Sequence, residues 1–218
     1  MAQVFPPGAN WFVTWVIFGG GSLALLLGAV ATGLYLSPIS TRVQVARQQP
    51  IPFSHHRHVQ GNGIDCRYCH TTVETGAFAG IPPTETCMTC HSQLLVGQAM
   101  LEPIHESWRT NEPMEWIRVH DLPDFVYFDH SIHIDRGVGC STCHGRVDEM
   151  RLTRKVETLR MGWCLRCHRA PEKYLRPQDE VFNMEWEPGP DQKERGLELV
   201  KARNVKVEQL TDCSICHR

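Results

Sequence analysis

Residues 53–91 read FSHHRHVQGNGIDCRYCHTTVETGAFAGIPPTETCMTCH, and residues 128–168 read FDHSIHIDRGVGCSTCHGRVDEMRLTRKVETLRMGWCLRCH. Both run Phe-x-His-x-x-His, then Cys-x-x-Cys-His, then a second Cys-x-x-Cys-His. In each, a valine and an acid follow the first motif histidine at the same spacing: Val73-Glu74 and Val147-Asp148. Self-similarity of this kind marks a repeated structural unit. The chain therefore carries two copies of one two-motif module.

Working outward, a fifth motif lies at residues 213–217. The ten cysteines of the 218 residues fall entirely into five motifs: Cys66-Cys69-His70, Cys87-Cys90-His91, Cys140-Cys143-His144, Cys164-Cys167-His168 and Cys213-Cys216-His217. On a helical turn, positions i, i+3 and i+4 share a face. Two thiols there can bond to the two vinyl groups of a haem, and the adjacent histidine is carried to the iron. Cys-x-x-Cys-His is the attachment pattern of a c-type haem. A zinc half-site would not need a histidine after every pair, and a disulfide framework would not repeat one pentapeptide five times. The expected cofactors are five covalently bound haem c groups.

An electron-transfer haem takes two strong axial ligands. The motifs supply His70, His91, His144, His168 and His217. The repeated hexapeptides offer His55, His58, His130 and His133 as four distal ligands, two on each short helix, each pair spaced to reach two irons. The fifth distal ligand is read as His120, with Met161 the alternative, and the pairing of distal residues with motifs is not legible. His56 and His105 are read as non-ligands.

From Arg42 onward about 177 residues must wrap five haems, roughly 35 residues each, too little for an ordinary core. The expected fold class is a multihaem cytochrome c, mostly irregular, with short α-helices around five haems and one N-terminal transmembrane helix. Ser92–Val126 is expected to open with a helix around Leu94–Leu101 and continue rich in Pro and Trp, which pack on haem edges or form a docking face. In the haem-free stretch 169–212, a break at Pro188-Gly189-Pro190 precedes a charged helix over Gln192–Arg203. The formal charge of −2 gives no electrostatic footprint for nucleic acid.

No Asp, Glu, Lys, Arg or His precedes Arg42. Residues 1–10 read as a tail and Trp11–Leu36 as a membrane anchor, longer than the roughly 20 residues a bilayer needs and flanked by Trp11, Trp15 and Tyr35. A cleaved signal peptide fits less well, since a basic n-region is missing and the apolar run is long. Arg42, Arg47 and Arg57 would by charge bias hold residues 37–218 in the cytoplasm. Covalent haem attachment is expected on the outer face of the cytoplasmic membrane, and five motifs outweigh three arginines.

The Phe-x-His-x-x-His spacing resembles class III cytochromes of the c3/c7 type. The longer stretches IPFSHHRHVQGNGIDCRYCH, GIPPTETCMTCH, VHDLPDFVYFDHSIH and MGWCLRCHR, with the anchor, resemble the pentahaem cytochrome c subunit of bacterial alternative complex III. That resemblance spans nearly the whole chain. It implies an electron-transfer subunit, not itself an enzyme, that works with iron–sulfur and polytopic membrane subunits of a quinol-oxidising complex. Its acceptor would be a soluble cytochrome c or copper protein. Two other readings stand beside it: a membrane-anchored multihaem quinol dehydrogenase, whose first motif would follow the anchor closely, and a multihaem reductase, which would need an iron with an open axial position.

Overall fold

The computed structural model describes residues 4–217 and divides into two compact units, Met1–Arg42 and Val43–Arg218.

In the first unit a single helix runs Ala9–Leu36, two residues earlier than the composition suggested, with one π turn at Trp15–Gly19. At about 1.5 Å per residue it reaches about 42 Å, longer than the ~30 Å hydrocarbon core of a bilayer. None of its side chains is buried within the unit, as suits a helix whose apolar surround is not supplied by protein. It stops where Pro38 forces Ser37 into extended backbone, ψ 162°. By length and composition it can cross a membrane.

The second unit holds no strand among the described residues, only four isolated bridges. Its helices are short and cluster on the motifs: Cys66–Cys69, Thr84–His91, Cys140–His144, Met161–Arg169 and Cys213–Cys216. Helix His130–Asp135 and a π turn over His56–Gln60, with His55 at its N-cap, carry the histidines of the two hexapeptides. Capping is local. The Asp65 carboxylate accepts from the Arg67 amide at 2.8 Å, and Asp129 takes the same place before Ile132.

The expected helix around Leu94–Leu101 forms later in the chain, as Glu102–Thr110 after a 3₁₀ turn. Leu95 at φ +58° and Gly97 at φ +80° turn the backbone away, and Pro103 fits only a first helical turn. The charged helix forms over Gln192–Ala202. Gly196 is its buried residue, so close to the Glu172 carbonyl that an added Cβ would collide with it.

Buried apolar residues form two small clusters. Ile51, Met88, Leu101 and Ile104 make one; Val73, Ile134 and Val181 make the other, with Cys140 packed against it. Many large apolar side chains stay exposed, Phe78, Leu94, Phe125 and Met161 among them. Protein alone supplies little of the core.

The two repeats interlock. The His56 amide donates to the Met150 carbonyl at 3.1 Å, and the Ser131 amide donates to the Gly76 carbonyl at 3.2 Å. These are equivalent positions in the two modules. The distal-histidine helix of each module thus docks on the loop behind the other module's first motif. The buried Asp148 carboxylate strengthens one junction, accepting from Gln60 across it and from Arg146 on its own side.

Candidate functional site

Each motif turn places its histidine at a helix end, and for three of them a backbone carbonyl fixes the ring. His70 Nδ1 donates to the Gly80 carbonyl at 2.7 Å, His91 to Leu94 at 3.2 Å and His168 to Leu210 at 2.8 Å. The hexapeptide histidines are held alike: His58 on Ser54 at 2.8 Å, His133 on Asp129 at 2.6 Å and His130 on Ala77 at 2.8 Å. A carbonyl can only accept, so Nδ1 carries the proton and Nε2 presents its lone pair. His55 is held by the Thr153 hydroxyl at 3.0 Å.

The phenylalanine of each hexapeptide orients both histidines. Phe53 stacks on His58 at 4.5 Å and meets His55 edge-on at 4.9 Å; Phe128 does the same to His133 at 4.6 Å and to His130 at 4.7 Å. Nothing in the sequence assigned these rings a task, although their recurrence was a signal.

So held, the imidazoles face one another in four pairs. His55 faces His70 with ring centres 6.4 Å apart and planes within 14°. His58 faces His91 at 6.3 Å, His130 faces His144 at 6.3 Å and 12°, and His133 faces His168 at 6.3 Å. The first histidine of each hexapeptide meets the first motif of its module, and the second meets the second. Two imidazoles bonded to one metal at about 2 Å each have ring centres about 6 Å apart. The gaps fit a metal held between trans histidines.

Burial lowers the pKa of three of the paired rings, His144, His55 and His133. It pushes His144 down to about 3, with His120, His130, His70 and His55 adding to the effect, and His55 down to about 4, with His70 close by. Burial also pushes the Cys143 thiol up to about 12 and Cys140 up to about 11. Such thiols are not the exposed, low-pKa kind that does redox chemistry. None of the ten cysteines is in a disulfide, and among the described residues no three His, Cys, Asp or Glu side chains gather as a metal cluster would require. A haem, which brings its own four equatorial nitrogens and needs only thioethers and axial imidazoles, fits this donor set.

Contacts order the motifs in space. Tyr68 and Thr89 share a hydrogen bond of 3.0 Å between the first and second. Val73, Ile134 and Cys140 join the first to the third. Helix His130–Asp135 serves both the third and the fourth. The His168–Leu210 bond links the fourth to the segment leading into the fifth. The order is second, first, third, fourth, fifth. Arg176, buried and unforeseen, braces the third motif by donating to the Ser141 and Thr142 hydroxyls at 3.0 and 3.1 Å.

The two candidates for a fifth distal ligand have different surroundings. His120 packs edge-on against His144 at 4.3 Å, its Nε2 buried without a partner. Met161 is exposed at the start of helix Met161–Arg169. The ring beside His217 is Phe125, at 5.8 Å.

Compared with known proteins, residues 126–218 match the family described as cytochrome c7 and related cytochrome c. A protein of Nitratidesulfovibrio vulgaris (strain Hildenborough), named menaquinone reductase, multiheme cytochrome c subunit, is 34% identical over 151 residues. That span covers 59% of this chain and 71% of the relative.

Proposed function

Since this chain belongs to the multihaem cytochrome c family, we propose that it is the electron-transfer subunit of a membrane quinol-oxidising complex of the alternative complex III type. Five c-type haems, when bound, supply its one-electron carriers. The observation that carries the reading is the set of four histidine pairs facing one another at 6.3–6.4 Å. An imidazole on each side leaves neither side open to substrate, which favours transfer over catalysis. Phe53 and Phe128 limit reorientation of the rings, and the carbonyl bonds fix the tautomer and raise ligand basicity.

The axial assignments follow from the pairs: His70 with His55, His91 with His58, His144 with His130, His168 with His133. His217 is the proximal ligand of the fifth. The helix Ala9–Leu36 would anchor the chain, with the domain on the outer face of the cytoplasmic membrane, where covalent haem attachment occurs. Iron–sulfur and polytopic membrane subunits would bring electrons from quinol, and a soluble cytochrome c or copper protein would take them.

The relative's name supports a second direction of flow. It is called a menaquinone reductase subunit, and the same relay run backwards would feed electrons from a periplasmic donor into quinone. A single apolar helix offers no concave pocket for quinol, so either direction needs partners.

The test is a haem count and two assays. A pyridine haemochrome assay should give about five c-type haems per chain. The isolated chain should reduce added cytochrome c after dithionite treatment and should not oxidise quinol. The complex with its partners should do both. Quinol oxidation by the isolated chain would overturn the relay reading in favour of a quinol dehydrogenase. In the intact complex, menaquinone reduction by a reduced soluble donor, without quinol oxidation, would establish the reverse direction.

A further inference from the structure

Three arginines stand at the first motifs of the two repeats, and one is unlike the others. Arg67 lies inside the first motif, half-exposed, and pairs with the Asp65 carboxylate at 2.9 Å. Arg146 follows the third motif and meets the carboxylates of Asp148 at 2.8 Å, Glu149 at 2.9 Å and Glu185 at 3.3 Å. Arg176 is 2% exposed, and its guanidinium bonds only to neutral oxygens. It donates to the Ser141 and Thr142 hydroxyls at 3.0 and 3.1 Å and to the carbonyls of Asn183 at 3.0 Å and Glu180 at 3.4 Å. The Glu180 carboxylate is engaged elsewhere, accepting from Asn183 Nδ2 at 2.6 Å. Arg176 Nε is buried without a partner among the described residues.

The cation is built onto the third motif. Ser141 and Thr142 are the two residues between Cys140 and Cys143. The Arg176 amide donates to the Gly137 carbonyl at 2.9 Å, and the Trp186 ring lies 4.4 Å from the guanidinium carbon. A Cβ added at Gly139, next to Cys140, would collide with the guanidinium. Burying a charge without an opposite partner is costly. A glutamine amide could bond the same hydroxyls without that cost, so the charge itself asks for a task.

Resting on the reading that Cys140–His144 carries a haem, we propose that Arg176 tunes that haem, its buried positive charge raising the reduction potential of the site. Reduction adds one electron there and breaks no bond. Between two neutral imidazoles the oxidised site carries one positive charge more than the reduced one, so a fixed cation nearby favours reduction. Net charge and burial are among the means by which a protein sets such a potential. In the first motif the position equivalent to Ser141 is Arg67, whose charge is cancelled by Asp65 and open to water. Two repeats with the same ligand types thus become unequal in potential. The tuned site is the middle one of the order second, first, third, fourth, fifth.

The full-length protein carries the test: a redox titration of all its haems, followed in the visible bands and by electron paramagnetic resonance. Arg176→Met and Arg176→Gln remove the charge, and Gln keeps a donor for the hydroxyls. Each should lower one midpoint by on the order of tenfold in the one-electron equilibrium, about 59 mV. Arg176→Lys keeps the charge and should hold that midpoint near its native value. The double variant Cys140→Ala, Cys143→Ala should lose one haem and, with it, the midpoint that moves. Uncharged variants whose midpoints all stay within about twofold of native in the same ratio, or a lysine variant that falls as far as they do, overturn the proposal. So does a moved midpoint that survives in the double cysteine variant. Loss of one haem from both uncharged variants also overturns it, since Arg176 is then a structural brace. If the double cysteine variant loses no haem, the third motif is unloaded, and the five-haem reading itself fails.

Discussion

Replacing Asp148 with alanine should destabilise the second unit by about 2–3 kcal/mol, in the range of a buried hydrogen bond to a charged group. Asp148 is 2% exposed. Its carboxylate accepts from Gln60 on the distal-histidine turn of the first repeat, and from Arg146 Nε at 3.0 Å and Nη2 at 2.8 Å. Arg146 keeps Glu149 at 2.9 Å and Glu185 at 3.3 Å and is 36% exposed, so it loses little. The loss falls on the link between the repeats, and with it on the seating of His55 and His58. Burial pushes the Asp148 carboxyl upward, but the bonds from Arg146 and Gln60 together outweigh it and leave it below the ordinary carboxylate range. A depressed folded pKa means that this stabilisation is present above the unfolded value of about 3.9 and is lost as pH falls through the folded one. Guanidinium unfolding followed in the Soret band should show a lower midpoint at unchanged slope. The gap between native and variant should be steady from neutral pH down to about 4 and should narrow below it. A loss under about 0.5 kcal/mol, the size of an ordinary surface change, would refute the reasoning, as would a gap indifferent to acid.

Gly196→Ala should cost about 2–3 kcal/mol by overpacking, since the new Cβ would meet the Glu172 carbonyl. The helix Gln192–Ala202, which packs on Pro171–Lys173, should loosen while the low-spin spectrum persists. His58→Ala and His130→Ala should each convert one site to high spin or lose it, read by magnetic circular dichroism, and the His130 variant should also lose the ring's bond to the Ala77 carbonyl, keeping the backbone one.

The sequence by itself determined whatever is local. The i, i+3, i+4 spacing brings two thiols and an imidazole together on one turn, so five attachment motifs could be read without any tertiary knowledge. The duplicated hexapeptide marked four histidines as candidate distal ligands for the same reason, and the uncharged start marked one helix. What only the tertiary structure decided depends on contacts far apart in the chain. The helix around Leu94 was misplaced because the left-handed backbone at Leu95 overrode its apolar pattern. His120 stood out from its place just before the second repeat, and only the fold shows that its ring packs against His144. Which motif ring each hexapeptide histidine faces, the interlocking of the modules through Met150 and Gly76, and the order second, first, third, fourth, fifth all rest on hydrogen bonds and packing between segments tens of residues apart. Periodicity reports which face a side chain occupies and carries no information about what that face meets.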